Sequence, residues 1–186
     1  MKKLLPIFFI LIFSSCSKEV PSDQLVERNG LLYEINSQEP FNGISVEYDD
    51  TGLREKLTFK KGKLNGPFES YYSGGSISIK GEYLQEDFGG DSEETTVGGP
   101  YEEYFENGQL RSKGFLNSMV GLFDHHKEFI YFYSDGGIEQ RNTPQSSSIS
   151  HIERFNPLGE LVGEECVNII DMDSYEVEMV DLSLCK

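Results

Sequence analysis

Three histidines and a short acidic run are the side chains from which metal or acid–base chemistry would have to be built. Asp124-His125-His126, with Glu128 just behind, has the residue types of a zinc site. Its spacing does not suit one. Adjacent side chains on a strand point to opposite faces, so neighbouring histidines chelate one ion poorly unless a loop turns them together. His151 stands apart from the pair. Residues 91–94, DSEE, offer oxygen ligands for calcium but lack the alternating Asp-x-Asp-x-Asp-Gly that wraps the ion. Residues 142–150, NTPQSSSIS, hold serines without a Gly-x-Ser-x-Gly turn or a base at recognisable spacing, and read as a linker. No nucleophile, base and orienting group come together in this pattern. The expectation is a protein with no catalytic residues, no metal and no cofactor.

What positions the side chains is a repeat. Residues 66–75, GPFESYYSGG, return as GPYEEYFENG at 99–108 and more loosely three further times. Aligned on their closing glycines, Gly52, Gly75, Gly108, Gly136 and Gly159 stand 23, 33, 28 and 23 residues apart. That is a base period of 23 with insertions of 10 and 5. Such a period marks an array whose units bury their faces against neighbours. Four residues before each glycine stands an aromatic: Tyr48, Tyr71, Tyr104, Phe132 and Phe155. Strand alternation should rank these five on one face.

Each unit reads as a strand, a glycine turn and a return strand. Glu106-Asn107-Gly108 is the clearest turn, because Asn and Gly tolerate the positive φ of tight hairpins. Return strands carry Ile77, Leu110, Ile138 and Leu161 two residues after their glycines, with Leu53 one residue early. Gly66-Pro67 and Gly99-Pro100 are expected to open their units where the chain turns back, with proline at a strand's first residue. One position after the ring column come Asp49, Tyr72, Phe105, Tyr133 and Asn156, aromatic only in the middle three. The first insertion, residues 85–98, reads as an acidic, turn-rich loop.

GPFESYYSGGSI, GPYEEYFENGQL and FKKGKLNGPF resemble the bacterial variant of the MORN repeat, the membrane occupation and recognition nexus. The likeness spans about residues 29–163. It departs in having no tryptophan and in placing Lys127 and Glu128 where the fourth unit should have Gly and Pro. The resemblance implies an all-β fold, an elongated single-layer antiparallel sheet of stacked hairpins. It also brings an antitoxin-like label that many bacterial members carry, which implies neutralising a partner protein.

The formal charge is −16. Nucleic acid is a poor partner for such a surface, because phosphate binding depends on Lys and Arg displacing counterions. Acidity also keeps strand edges apart and suits a basic partner.

Lys2 and Lys3 precede the apolar run 4–13, and Ser14-Ser15-Cys16 follows at once. The run is short for a bilayer-spanning helix and reads as a secretory signal helix. It resembles a bacterial lipoprotein signal, which implies acylation of Cys16 and a place in the cell envelope, held to a membrane by lipid. Phe13 departs from the usual Leu, and simple secretion and an uncleaved anchor are the alternatives. With Cys16 given to lipid, Cys166 and Cys185 remain, and an oxidising compartment permits a bridge between them; two separate thiols are the alternative.

The expected organisation is a signal peptide at 1–15, a polar tether at 16–25, the repeat domain at 26–163 and a capping hairpin at 164–186. The expected function is a non-catalytic, membrane-anchored scaffold that binds a protein or a glycan. The residues singled out for that role are Tyr48, Tyr71, Tyr72, Tyr104, Phe105, Phe132 and Tyr133, because tyrosine offers rigid contact area with a polar tip. The alternative is an immunity-like protein that neutralises a toxin.

Overall fold

The structure, a computed structural model, describes residues 17–86, 95–117, 122–123, 126–171 and 176–185. The signal helix and Cys16 lie outside the described residues, as do residues 91–94 and the pair Asp124-His125. Fifteen strands are described: β1 (Glu19–Pro21), β2 (Leu25–Arg28), β3 (Leu31–Glu34), β4 (Gly43–Asp49), β5 (Gly52–Lys60), β6 (Lys63–Tyr71), β7 (Ile77–Glu86), β8 (Thr95–Tyr104), β9 (Leu110–Asn117), β10 (Leu122–Phe123), β11 (Phe129–Phe132), β12 (Ile138–Pro144), β13 (Ile149–Phe155), β14 (Leu161–Asp171) and β15 (Glu176–Val180). The helices among the described residues are 3-10 turns of three and four residues.

The chain is all-β. Thirteen strands form one sheet in the order β1, β4 to β9, β11 to β15, with β10 also paired to β9. From β4 onward each strand lies antiparallel beside its predecessor, except that β10 and β11 both pair with β9. The expectation of a purely antiparallel sheet needs one correction. Glu19–Pro21, expected within a tether, runs parallel to β4 with Val20 opposite Ser45, so the sheet is mixed. Val20 is buried at 3% exposure, and burying it is what draws the segment onto the edge. The boundary expected at 163/164 falls inside β14, which pairs with β13 from Leu161 to Asn168 without interruption there.

Four turns share one geometry. The amides of Tyr72, Phe105, Tyr133 and Asn156 donate to the carbonyls of Ser76, Gln109, Gly137 and Glu160, and each closing glycine donates back to the first residue. Gly75, Gly108, Gly136 and Gly159 have φ between 80° and 94°. This is a three-residue loop whose glycine takes the left-handed position. Asn107 is therefore not a positive-φ residue; its carboxamide oxygen accepts from the Gln109 amide at 3.0 Å instead. Every one of the five hairpins then carries a register shift beside its ring, at Tyr48, Tyr71, Tyr104, Phe132 and Phe155. The extra residue sits on the return strand, as Arg54, Ser78, Arg111, Glu139 and Val162. A bulge of this kind raises the local twist.

Gly66-Pro67 does not open its hairpin. The turn is Lys61-Gly62, both at positive φ, and Lys60 pairs with Lys63 across it. Gly66-Pro67 lies mid-strand at a second bulge, between the pairs Leu57–Phe68 and Phe59–Leu64, where Thr58 Oγ1 donates to the Pro67 carbonyl at 2.6 Å. Gly99-Pro100 occupies the same kind of bulge, between Gly81–Tyr101 and Tyr83–Gly98. Proline is tolerated there because a bulge leaves a position without its ladder bond. The first insertion is only partly loop, since β7 continues through Glu86 and β8 begins at Thr95. The second insertion breaks a strand in two. Leu116 and Lys113 on β9 are separated by two residues, while their partners Phe123 and Ile130 are separated by six.

Cross-strand register sorts the side chains onto two faces. On one face Phe68, Gly81, Tyr101 and Gly114 are successive partners, and the Phe129 ring lies over Gly114. The ring of Phe68 covers Gly81 in the same way. Phe68 and Phe129 are 6% and 4% exposed, and each meets a tyrosine at 4.7 Å between centroids, Phe68 tilted against Tyr83 and Phe129 edge-on to Tyr131. Val46 and Ile130, 3% and 6% exposed, are buried on the opposite face, while this ring-on-glycine face holds the buried rings of the sheet's middle. At its start Phe41, 2% exposed, joins Phe59 at 6.0 Å. The separate hairpin β2–β3, turned by Asn29-Gly30 at φ 52° and 75°, is tied there through the Leu32 amide to the Gly62 carbonyl.

Glu47 and Glu55 stand directly opposite each other on the core face, with Ser70 beyond. Burial first, and then the Glu47 charge, push the Glu55 carboxyl up from its ordinary value. A raised folded-state pKa makes the site's stabilising contribution complete below the unfolded pKa and lost as pH rises through the folded one. Glu55→Gln is therefore expected to gain roughly 0.2–1 kcal/mol at about pH 7, the scale of one cross-strand pair. The gain should vanish by about pH 3, below the ordinary glutamate value of about 4.3, where Glu55 is protonated in the folded and unfolded chain alike. Urea midpoints at the two pH values check this, and a gain that persists in acid refutes it.

Candidate binding face

The other face carries two rows that follow the repeat. The inner row runs Val46, Lys56, Glu69, Lys80, Glu102, Lys113, each opposite the next, then Ile130, Arg141, Glu153 and Glu164. Beside it the outer row pairs Tyr48 with Leu53, Tyr71 with Ile77, Tyr104 with Leu110, Phe132 with Ile138 and Phe155 with Leu161. The five rings thus stand on one face, two strands apart.

Much of the inner row is a charge ladder built by strand direction: the return strands β5, β7, β9 and β12 supply Lys56, Lys80, Lys113 and Arg141, and the outgoing strands β6, β8 and β13 supply Glu69, Glu102 and Glu153. Lys80 Nζ meets Glu102 at 2.8 Å, and Arg141 meets Glu153 at 3.3 Å. Lys56 meets Glu19 at 2.8 Å, which fastens β1 to the sheet. The Lys80 bond, and then the Tyr104 hydroxyl, hold Glu102 below its usual range; Lys80 is raised by the same pairing.

The rows are cross-linked. Tyr71 and Tyr104 donate their hydroxyls to Glu69 and Glu102, each two residues back on its own strand. Burial and then the Glu69 contact push Tyr71 up to about 12. Lys80 lies 5.3 Å from the Tyr104 ring centre, Lys113 5.9 Å from Phe132 and Arg141 5.8 Å from Phe155. Each cation therefore covers the ring of the following unit. Tyr48 is 61% exposed, whereas Tyr71, Tyr104, Phe132 and Phe155 are half-buried.

Tyr72, Phe105 and Tyr133 do not join this face. They begin the turns, one residue after the rings and pointing the other way. Tyr72 donates its hydroxyl to the Tyr104 carbonyl and Tyr133 to the Phe155 carbonyl, both at 2.7 Å, so each locks its unit to the next. These are structural bonds. Tyr72→Phe and Tyr133→Phe are expected to cost about 1 kcal/mol each, the net worth of one such bond, in denaturant titrations. Phe105→Tyr, which restores the missing member of the series toward the Phe132 carbonyl, is expected to gain a similar amount.

The remaining singled-out residues fall elsewhere. His151 lies opposite Cys166 with its Nε2 3.4 Å from Glu164, too poorly aligned to count as a hydrogen bond. Cys166 and Cys185 form a disulfide with Cα atoms 5.9 Å apart. Among the described residues no group of three His, Cys, Asp or Glu is arranged to hold a metal. No described helix is long and apolar enough to cross a membrane.

The ladder and the ring-on-glycine core were not foreseen. Their signals were present: a basic residue follows the closing glycine by five at Lys80, Lys113 and Arg141, and Phe68, Tyr101 and Phe129 each stand three before a column ring.

Fold and face together define a hairpin-repeat protein with a patterned, half-open face. Residues 98–117, the end of β8 with all of β9, match the family described as the MORN repeat variant. No curated protein matches the chain.

Proposed function

We propose that this protein is a non-catalytic envelope lipoprotein, acylated at Cys16, whose hairpin sheet binds a protein partner. The observation that carries the reading is the ladder face. It presents half-open rings at a spacing of roughly 9–10 Å, twice the strand separation, on a frame already fixed by ion pairs and hydroxyl bonds. A preorganised face loses little entropy on binding, and rings with polar tips suit contact with protein. The MORN repeat variant at 98–117 is compatible with such a role.

Acylation of Cys16 would place the first edge of the sheet close to the bilayer. Only Ser17 and Lys18 separate Cys16 from β1, a reach of roughly 10 Å. Metabolic labelling with an alkyne fatty acid tests the anchor: label lost in Cys16→Ser supports it, and label retained there refutes it. In-cell crosslinking from a photoreactive residue at Tyr48, followed by mass spectrometry, tests the partner; a reproducible stoichiometric protein supports the reading, and no adduct at Tyr48 refutes this face.

The neighbouring carboxylates Glu47 and Glu55, which have no cation partner among the described residues, favour a second reading, an immunity-like protein against a basic toxin. A captured partner that is toxic when expressed alone, and silenced by co-expression of this chain, selects it.

A further inference from the structure

On the ladder face, between the two Gly-Pro bulges, lies a groove of about 330 Å³. Two rows of three residues line it: Glu69, Lys80 and Glu102, and beside them Pro67, Glu82 and Pro100. Register places them together, since Lys80 pairs with both Glu69 and Glu102, and Glu82 pairs with Pro67. Phe68, Gly81 and Tyr101, one from each of β6, β7 and β8, complete the lining.

The charges in the groove are not equivalent. Lys80 is bonded to Glu102, and Glu69 accepts the Tyr71 hydroxyl. Glu82 is exposed and makes no salt bridge among the described residues. The groove thus holds three carboxylates against one lysine already engaged, which repels an anion. Its centre is a carboxylate between two proline rings. Rigid apolar walls leading to a single negative charge fit an alkyl stem with a cation at its tip. An uncharged apolar side chain would leave Glu82 desolvated and unpaired, at a cost.

We propose that this groove receives a lysine or arginine side chain of the partner protein. The assignment rests on the partner-binding reading above and specifies the chemistry at one point of that face. Both Gly-Pro pairs are used, one for each wall, which places the groove where the second and third units adjoin.

The test is titration of the purified, 15N-labelled protein with the peptide acetyl-Gly-Gly-Lys-Gly-Gly-amide and its norleucine counterpart. The lysine peptide is expected to shift the amides of Gly81, Glu82 and Glu102 saturably, and the norleucine peptide to leave them in place. Glu82→Gln should weaken the response about fivefold, the loss of one partly exposed charge pair, while Glu139→Gln on a distant bulge should not. Equal binding of norleucine, or equal weakening by both variants, overturns the proposal in favour of unspecific attraction to an acidic surface. If wild type and Glu82→Gln capture the same cellular partner equally well, the groove is overturned and partner binding stands. A Glu82-dependent peptide response with no partner captured supports the groove and removes the reading beneath it.

Discussion

Phe129→Ala is expected to cost about 3–5 kcal/mol, the range for deleting a buried aromatic ring. Phe129 is 4% exposed and covers Gly114 on the neighbouring strand. Part of the cost is transfer of the ring to water, and part is the space left above a residue that has no side chain to fill it. A Cβ on Gly114 would lie 2.2 Å from the ring's Cδ2, so Gly114→Ala should itself cost about 1–3 kcal/mol by overpacking. The two changes should not add. Once the ring is gone the new methyl enters vacated space, so the double variant should be no less stable than Phe129→Ala alone. Urea titrations of all four proteins close the cycle. Additive costs would mean that Gly114 is kept for its backbone freedom and not for the ring, and the account of the core would fail.

How much of this was legible follows from what each signal needed. Gly75, Gly108, Gly136 and Gly159 announced the hairpins because a left-handed turn position admits little else, and the rings four residues earlier announced a common face. The turn type was harder to read, since Asn107-Gly108 suits a two-residue loop as well as the three-residue loop that forms. Lys61-Gly62 is a weak turn signal, because lysine is an unusual choice at positive φ. Gly66-Pro67 is the stronger signal in the sequence, yet it breaks a strand with a bulge. The charge ladder escaped for a different reason. Lys80 and Glu102 lie on different strands, and their pairing depends on a one-residue bulge at Ser78 that shifts the alternation before Ile79. A bulge is decided by pairing between strands, and a single strand read alone does not show it. The core rings are harder to see in the sequence because their row is less regular than the column. The column holds its ring in all five units, while Phe68, Tyr101 and Phe129 have Ser45 and Ile152 as their counterparts at the two ends.

Removing the disulfide is expected to cost about 3 kcal/mol, and to cost it at one end of the molecule only. Cys166 on β14 is 1% exposed, between His151 and Val180 on the flanking strands; Cys185 ends the last 3-10 turn, Leu182–Cys185, and is 6% exposed. The bond closes a loop whose ends are 19 residues apart, and restricting a loop of about that length in the unfolded chain supplies the figure. Beyond its ladder with β14 and the Asn168–Glu178 hydrogen bond, β15 gains little from burial. It is the sheet's terminal strand, and Val177 and Met179 are 54% and 67% exposed. In an array whose units touch only their neighbours, destabilisation at one end need not travel to the middle. Cys166→Ala with Cys185→Ala, or reduction of the native protein, should therefore raise amide exchange in β14, β15 and the final turn while leaving β6 to β9 protected. The same experiment distinguishes two pictures of the sheet. Exchange rising equally in every strand would mean that the hairpins fold as one indivisible unit, and the nearest-neighbour account of the array would have to be abandoned.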